Sequence, residues 1–124
     1  MNFEIEKKDN YVVVKVKVEK LDSQISPSLK SELVVLNADE FKNIIIDLAD
    51  TRYCDSSGLS AILVANRLCK NSGGTFVLCA LQRSVSKLIS ISQLDTILII
   101  TPTLEEAVDL LAMESIEKDL GTDE

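Results

Sequence analysis

The fold of this chain is decided by one stretch, NIIIDLADTRYCDSSGL at residues 43–59. Its apolar beginning, residues 43–46, predicts a buried strand, and the apolar pattern over residues 59–68 predicts a helix. Asp55-Ser56-Ser57-Gly58 lies between the two. Asp and Ser are typical of a helix start, because their side-chain oxygens accept the free backbone N–H groups there. From the residues alone, Asp55 or Ser56 is therefore interpreted as a helix N-cap.

Two alternating segments precede this stretch. Residues 3–6 and 11–18 alternate apolar and charged side chains for much of their length. A period of two predicts half-exposed strands, and the short polar turn between them predicts an antiparallel hairpin. Ser26-Pro27 then predicts a helix start, with Ser26 as the N-cap and Pro27 in the first turn.

Three apolar runs and three helical patterns fill the rest of the chain. The apolar runs are residues 44–46, 76–79 and 97–100. Such runs are typical of parallel strands that helices cover on both faces. The helical patterns span residues 58–72 and 82–91 and continue from a capping box at residues 103–106. Gly73-Gly74 predicts a left-handed C-terminal cap for the first of them.

This alternation predicts a single α/β domain. We expect a four- to five-stranded mixed sheet, mostly parallel with an N-terminal antiparallel hairpin, and about four helices. The domain is expected to span residues 1–113. Residues 114–124 are expected to form an acidic tail that is partly helical or frayed.

Composition and charge exclude several classes of protein. The 124 residues are 46% hydrophobic, which excludes a disordered chain. The net charge of −7, from 20 acidic and 13 basic residues, argues against direct binding of nucleic acid. No apolar run approaches the roughly 20 residues of a membrane span, and the N-terminus lacks the pattern of a signal peptide. We therefore expect a cytoplasmic protein.

The sequence lacks the residues of common catalytic and cofactor sites. There is no His, and Cys54, Cys69 and Cys79 form no Cys-x-x-Cys pair, which argues against zinc, disulfide and Cys–His chemistry. Cys69 and Cys79 lie in apolar runs and are expected to be buried, whereas Cys54 is expected to be more accessible. Gly73-Gly74 lacks the spacing of a phosphate-binding loop. We predict neither an enzyme nor a cofactor.

Three carboxylates, Asp47, Asp50 and Asp55, follow one predicted strand. Carboxylates grouped at a sheet edge bind hard cations, so a metal site is one alternative. The favoured interpretation assigns Asp47 to the strand end, Asp50 to the loop and Asp55 to the helix cap. It predicts no metal site.

The motif Asp55-Ser56-Ser57-Gly58-Leu59, after its apolar strand and a short Arg-Tyr-Cys lead-in, resembles the signature of the STAS family, typified by bacterial anti-sigma factor antagonists. The resemblance extends over about residues 11–111. In that family the second Ser of the motif is phosphorylated by a partner serine kinase. The resemblance thus implies that Ser57 is the phosphoacceptor and that Asp55, Ser56 and Gly58 complete the motif. Ser60 is a departure, because many members carry Gly or Ala there.

The resemblance also implies a function, that of a partner-switching regulator. Unphosphorylated protein would bind a serine kinase of the histidine-kinase-like ATPase class that is also an anti-sigma factor, and would thereby free a sigma factor. Phosphorylation of Ser57 would end this binding, and a phosphatase would restore it. STAS domains also occur as scaffolds of stress-signalling assemblies and as accessory subunits of lipid-transporting ABC systems. That alternative stays open here, as does the oligomeric state.

The helix after the motif predicts a docking face. Positions 57, 60, 64, 67 and 71 are spaced by three and four residues and form one stripe, mostly of polar side chains. We expect the stripe to face solvent, with Ser57 at its head and Ser60, Val64 and Arg67 as partner contacts. Val64 is interpreted either as an exposed contact or as an edge residue packed under a loop. Free N–H groups at the helix start are expected to tolerate a phosphate on Ser57.

Overall fold

A five-stranded mixed sheet lies at the centre of the computed structural model, which describes the backbone of residues 2–121 and the side chains of residues 2–117. In chain order the strands are β1 (Phe3–Lys7), β2 (Val12–Val16), β3 (Lys20–Leu21), β4 (Ile44–Asp47), β5 (Tyr53–Cys54), β6 (Phe76–Cys79) and β7 (Ile99–Thr101). The sheet has the spatial order β1-β2-β4-β6-β7, and β3 pairs with β5 separately. Only the β1–β2 pair is antiparallel among these described strands.

In the described part of the chain, four helices cover the two faces of this sheet unequally. They are α1 (Ser26–Ala38), α2 (Ser56–Asn71), α3 (Arg83–Ile91) and α4 (Leu104–Gly121). Successive strand residues point to opposite faces, so Val12 and Val14 join a large core with α1, α2 and α3. Val13 instead joins a smaller core with Ala107 and Leu111 of α4. The beginning of α2 therefore lies on the three-helix side, near the carboxyl ends of the parallel strands.

The predicted α/β architecture is confirmed, including the antiparallel hairpin, the parallel remainder of the sheet and the four helices. The pairing register places Val14 opposite Ile46, and Ile46 opposite Leu78. Gly73, just after the end of α2, has a φ of 77°, the left-handed conformation predicted for this C-terminal cap.

The prediction of Ser26 as the N-cap of α1 is wrong. Ile25 occupies the cap position with helical dihedral angles, no side chain caps the helix, and Pro27 lies in its first turn. The Ser26 hydroxyl instead donates to the Asp22 carbonyl oxygen at 2.7 Å. The helix thus starts one residue earlier than predicted, which leaves Ser26 buried on its inner side.

Two strand boundaries also differ from the sequence prediction. The run at residues 97–100 was expected to be a strand, but β7 begins at Ile99 because the chain first makes a 3₁₀ turn over Leu94–Thr96. Leu98 closes this turn by donating its N–H to the Leu94 carbonyl oxygen at 2.9 Å. The strand expected over residues 11–18 is shorter, since β2 ends at Val16.

The last helix extends well beyond the predicted end of the domain. Thr103 caps it, because its Oγ1 accepts the Glu106 N–H at 3.1 Å, as the capping-box pattern predicts. The helix continues to Gly121, so the first residues of the expected acidic tail are helical. Residues 122–124 of that tail lie outside the described residues.

Candidate functional site

The connection between β4 and α2, residues 48–55, is held in place by backbone and side-chain hydrogen bonds. Thr51, with 0% of its surface exposed, donates its hydroxyl to the Val18 carbonyl oxygen at 2.9 Å. The Arg52 N–H donates to the Glu19 carbonyl oxygen at 2.8 Å. These contacts tie the connection to the segment that follows β2, and they fix where α2 begins.

Asp55 is the N-cap of α2, as the sequence predicts. Its backbone is extended, and its Oδ1 accepts the Ser57 N–H at 2.9 Å and the Gly58 N–H at 3.1 Å. The same oxygen accepts the Ser57 hydroxyl at 2.5 Å. Such a short O–H···O contact is typical of a hydrogen bond to an ionised carboxylate.

The pKa of the Asp55 carboxyl is lowered from its ordinary value, first by the Ser57 hydroxyl and next by the Gly58 N–H. Both groups donate hydrogen bonds that favour the charged form. Asp55 thus already accepts two of the N–H groups at the helix start, those of Ser57 and Gly58. That the fold tolerates a phosphate on Ser57 at this helix end stays a prediction.

Ser57 also contacts a second helix. Its Oγ lies 3.2 Å from the Oγ of Ser26, which is 1% exposed. Ser57 is half-buried, whereas its neighbour Ser56 is exposed. The motif hydroxyl thus points toward the junction of α1 and α2, between a carboxylate and a buried hydroxyl.

Gly58 is required by a close approach between α2 and the small β3–β5 pair. A Cβ at this position would lie 2.6 Å from the Cys54 Sγ and 2.6 Å from the Leu21 carbonyl oxygen. Both distances are far below van der Waals contact, so no larger residue fits without displacement. Gly58 therefore sets how deeply the first turn of α2 is seated in the core.

Cys54 is only slightly more accessible than Cys69 and Cys79, because all three cysteines are buried. Cys54 is 6% exposed, because it packs under the first turn of α2 beside Gly58. Burial raises its pKa to about 12, with a smaller contribution from the Asp55 charge. Cys69 and Cys79 are buried as predicted, and burial raises their pKa to about 12 as well.

The three carboxylates near the motif each have a different bonding partner. The Asp47 Oδ1 accepts the Ala49 N–H at 2.9 Å, and Asp50 forms an ion pair with Lys17 at 2.8 Å. Asp55 caps α2. Within the described part of the chain, no group of three or more acidic or Cys side chains is arranged to hold a metal ion.

Comparison with known proteins identifies the family. The STAS domain model matches residues 2–107. The chain belongs to the STAS domain family. Three solved structures share the fold of this STAS domain closely, and all three proteins are described as anti-sigma factor antagonists.

A Thermotoga maritima protein described as an anti-sigma factor antagonist is 25% identical, with a TM-score of 0.80, over 89% of this chain and 94% of its own. An anti-sigma factor antagonist from Mycobacterium paratuberculosis is 24% identical, with a TM-score of 0.80, over 89% and 92%. Unphosphorylated SpoIIAA from Bacillus is 22% identical, with a TM-score of 0.77, over 89% and 96%. Each match covers most of this chain and nearly all of the chain that it is compared with.

The predicted stripe on α2 of this STAS domain is exposed only in its second half. Ser57, Ser60 and Val64 are half-buried, whereas Arg67 and Asn71 are exposed. At the head of the stripe, Ser57 meets Ser26 of α1. The role of Ser60, Val64 and Arg67 as partner contacts stays a prediction.

Sequence reasoning missed two contributors to the site of the STAS domain. Ser26 was assigned to a helix cap, and the Leu21 carbonyl oxygen carries no side-chain signal at all. Both approach the motif only because β3 and α1 pack against it.

No helix among the described residues is long and apolar enough to cross a membrane.

Proposed function

We propose that this STAS domain is a non-catalytic regulator, an anti-sigma factor antagonist that binds a serine-kinase anti-sigma factor of the histidine-kinase-like ATPase class in the cytoplasm. Phosphorylation of Ser57 releases the kinase, and a phosphatase reverses the modification. The observation that carries the proposal is the motif Asp55-Ser56-Ser57-Gly58 at the start of α2, in a domain that shares its fold with solved structures of anti-sigma factor antagonists.

The surroundings of Ser57 support a charge switch. A phosphoserine carries about −1.5 to −2 charges at neutral pH. Here it would lie beside the ionised Asp55, whose oxygen already accepts the N–H groups of Ser57 and Gly58. Two neighbouring anions at one helix end create a negative surface, and a partner that covers this surface must strip the hydration water from both anions. Because this desolvation costs free energy, the phosphorylated protein no longer binds the kinase.

The fold is retained after phosphorylation because the modified oxygen lies at the rim of the core. Ser57 is half-buried, and the fully buried side chains of the large core, such as Ile62 and Leu29, lie elsewhere in the helices. The docking face continues from Ser57 and Ser60 past Val64 to the exposed Arg67, where a long cation can reach a partner surface.

A regulatory role rather than catalysis is supported by the state of the nucleophiles in the described chain. Burial raises the pKa of each of the three thiols to about 12, so none is a thiolate at neutral pH. The sequence contains no His to act as a general base. The Ser57 hydroxyl donates to the Asp55 carboxylate at the start of the same helix, and its Oγ also lies beside Ser26 of α1.

The two serines of the motif provide the decisive experiment. Exposure alone favours Ser56, whereas the family resemblance favours Ser57. The protein is incubated with ATP and its cognate histidine-kinase-like ATPase, and the phosphorylated residue is identified by mass spectrometry. We expect phosphate on Ser57, no incorporation in Ser57→Ala, and full incorporation in the matched control Ser56→Ala. Phosphate on Ser56, or none on either serine, contradicts the proposal.

A further inference from the structure

The outer face of α1 carries no charged side chain, unlike the outer faces of the other helices. The exposed residues of α1, which the structure describes throughout, are Pro27, Ser28, Ser31, Val34, Val35 and Ala38. The two valines are 51% and 56% exposed. By contrast, α2 exposes Arg67 and Lys70, α3 exposes Arg83 and Lys87, and α4 exposes several acidic side chains. Helix α1 thus presents an uncharged surface on a chain with a net charge of −7.

The inner face of α1 is apolar as well. Leu29, Leu33 and Leu36 are buried in the large core. At about 100° of rotation per residue, Lys30 and Glu32 lie at the borders between the two faces, and both are half-buried. A helix without a charged outer face is typical of a helix that is covered on both sides. The outer face of α1 therefore has the composition of a contact surface.

This face matches itself when α1 is turned end over end. One stripe on it is spaced by four, three and four residues, at Pro27, Ser31, Val34 and Ala38. The middle of the stripe lies between Ser31 and Val34. In an antiparallel second copy, Ala38 would lie beside Pro27 of the first, and Val34 beside Ser31. A shallow groove at the same midpoint is lined by Lys30, Ser31, Val34 and Val35.

The two ends of α1 are complementary in charge. No side chain caps its N-terminus, and its first turn contains no acidic residue. Asp22, the acidic residue that precedes the helix, uses its Oδ1 to accept the Gln24 N–H at 3.0 Å. At the other end, Asp39 and Glu40 are exposed directly after the helix. Antiparallel pairing would place these carboxylates beside the positive helix N-terminus of the second copy, where anions are favoured.

We propose that the outer face of α1 is the contact between two copies of this chain, which pair antiparallel about a two-fold axis between Ser31 and Val34. A net charge of −7 keeps copies of a protein apart, so they pair best where the surface lacks like charges. The 13 residues of α1 span about 20 Å. A contact one helix wide and of this length is smaller than a standard interface, so the dimer is weak and forms at high protein concentration. This pairing does not depend on the proposed function.

The first test is sedimentation velocity between about 10 μM and about 1 mM protein. Wild type should shift from monomer toward dimer over this range. Val34→Glu puts two carboxylates close to the axis and should weaken the dimer by roughly tenfold or more. The matched control is Ile116→Glu on α4, since Ile116 is 55% exposed and lies away from α1; it should dimerise like wild type. Both variants should keep the melting temperature of wild type, because the replaced side chains are exposed.

A mixture of two variants tests the position of the axis. Val34→Lys alone should be monomeric for the same reason as Val34→Glu. Equal amounts of the two place opposite charges at the axis and should restore the dimer. A wild type that stays monomeric at about 1 mM overturns the inference. So does a mixture that stays monomeric while wild type dimerises. If wild type is monomeric and Val34→Glu loses kinase binding, the face belongs to the kinase and not to a second copy.

Cross-linking tests the antiparallel direction. A short reagent that joins two thiols should link Pro27→Cys to Ala38→Cys in a mixture of the two proteins. It should not link either variant to itself, because the two identical thiols would lie about 16 Å apart along the paired helices. The native cysteines should stay unreactive, since burial raises their pKa to about 12. Efficient linking of Pro27→Cys to itself, with none in the mixture, overturns the antiparallel pairing.

Discussion

Replacing Gly58 by Ala tests whether the first turn of α2 is seated as closely as the structure shows. The added Cβ would meet the Cys54 Sγ and the Leu21 carbonyl oxygen, each at 2.6 Å. The carbonyl belongs to the backbone and accepts the Asp55 N–H at 3.3 Å, so it cannot simply turn away. Overpacking of this kind costs about 1–3 kcal/mol, and the fixed carbonyl places this site at the upper end.

A helical Ala offsets part of that cost, because it loses less backbone entropy on folding than Gly, by about 0.5–1 kcal/mol. The expected net loss is therefore about 2 kcal/mol. For a chain of this length, that corresponds to a melting temperature lower by roughly 6–10 °C. Urea unfolding followed by circular dichroism should show a lower midpoint with an unchanged slope, since the surface exposed on unfolding is the same.

A double variant separates the two close contacts. Cys54→Ala removes the sulfur atom but leaves the Leu21 carbonyl oxygen in place. Gly58→Ala should therefore remain destabilising in the Cys54→Ala background, although by less than in wild type. If Gly58→Ala left stability unchanged or raised it in either background, α2 would not approach β3 as closely as described, and the argument for Gly at this position would be refuted.

The remaining predictions concern the same surface. Ser57→Ala should raise the pKa of Asp55, which an NMR titration of its carboxyl carbon measures. The lowered pKa in wild type stabilises the fold above the ordinary carboxyl pKa, and that stabilisation is lost as the pH falls through the lowered value. The variant lacks part of this stabilisation and should therefore unfold more readily in acid. An unchanged pKa would contradict the Ser57–Asp55 bond. Cys54 should not react with a thiol reagent at pH 8 while the protein is folded, and rapid labelling would show an open site. Val64→Glu should abolish kinase binding at a stability cost of about 1 kcal/mol, because the half-buried side chain can turn its carboxylate to water; a loss of several kcal/mol would place Val64 in the core.

Much of the sheet could be predicted because its strands are long apolar runs. Ile44–Asp47 and Phe76–Cys79 are buried on both faces, so nearly every residue contributes to the signal. The β3–β5 pair could not be predicted, since each strand has two residues and its position depends on backbone bonds to distant segments. The start of β7 was misplaced because Ile97 and Leu98 are as apolar as the strand but belong to a turn.

The candidate site was predictable where its chemistry is local. Asp55 caps the residues that follow it directly, and its side chain suits that role in any strand–loop–helix unit. The contact between Ser26 and Ser57 depends on how α1 packs against α2, which no pattern within either helix reveals. Ser60 and Val64 are half-buried as well, so a helical wheel alone overstated the exposure of the stripe.

The order of strands in the sheet has a consequence for synthesis on the ribosome. Each strand of the main sheet lies beside the one that precedes it there, from β1 through β2, β4 and β6 to β7. No strand has to insert between two that are already paired, so the nascent sheet can grow at one edge as the chain emerges. That edge is mostly apolar, first Ile44–Asp47 and then Phe76–Cys79. Until β7 and α4 arrive, the unfinished domain therefore exposes the surface that chaperones bind, and translational pauses before residue 99 should increase its aggregation.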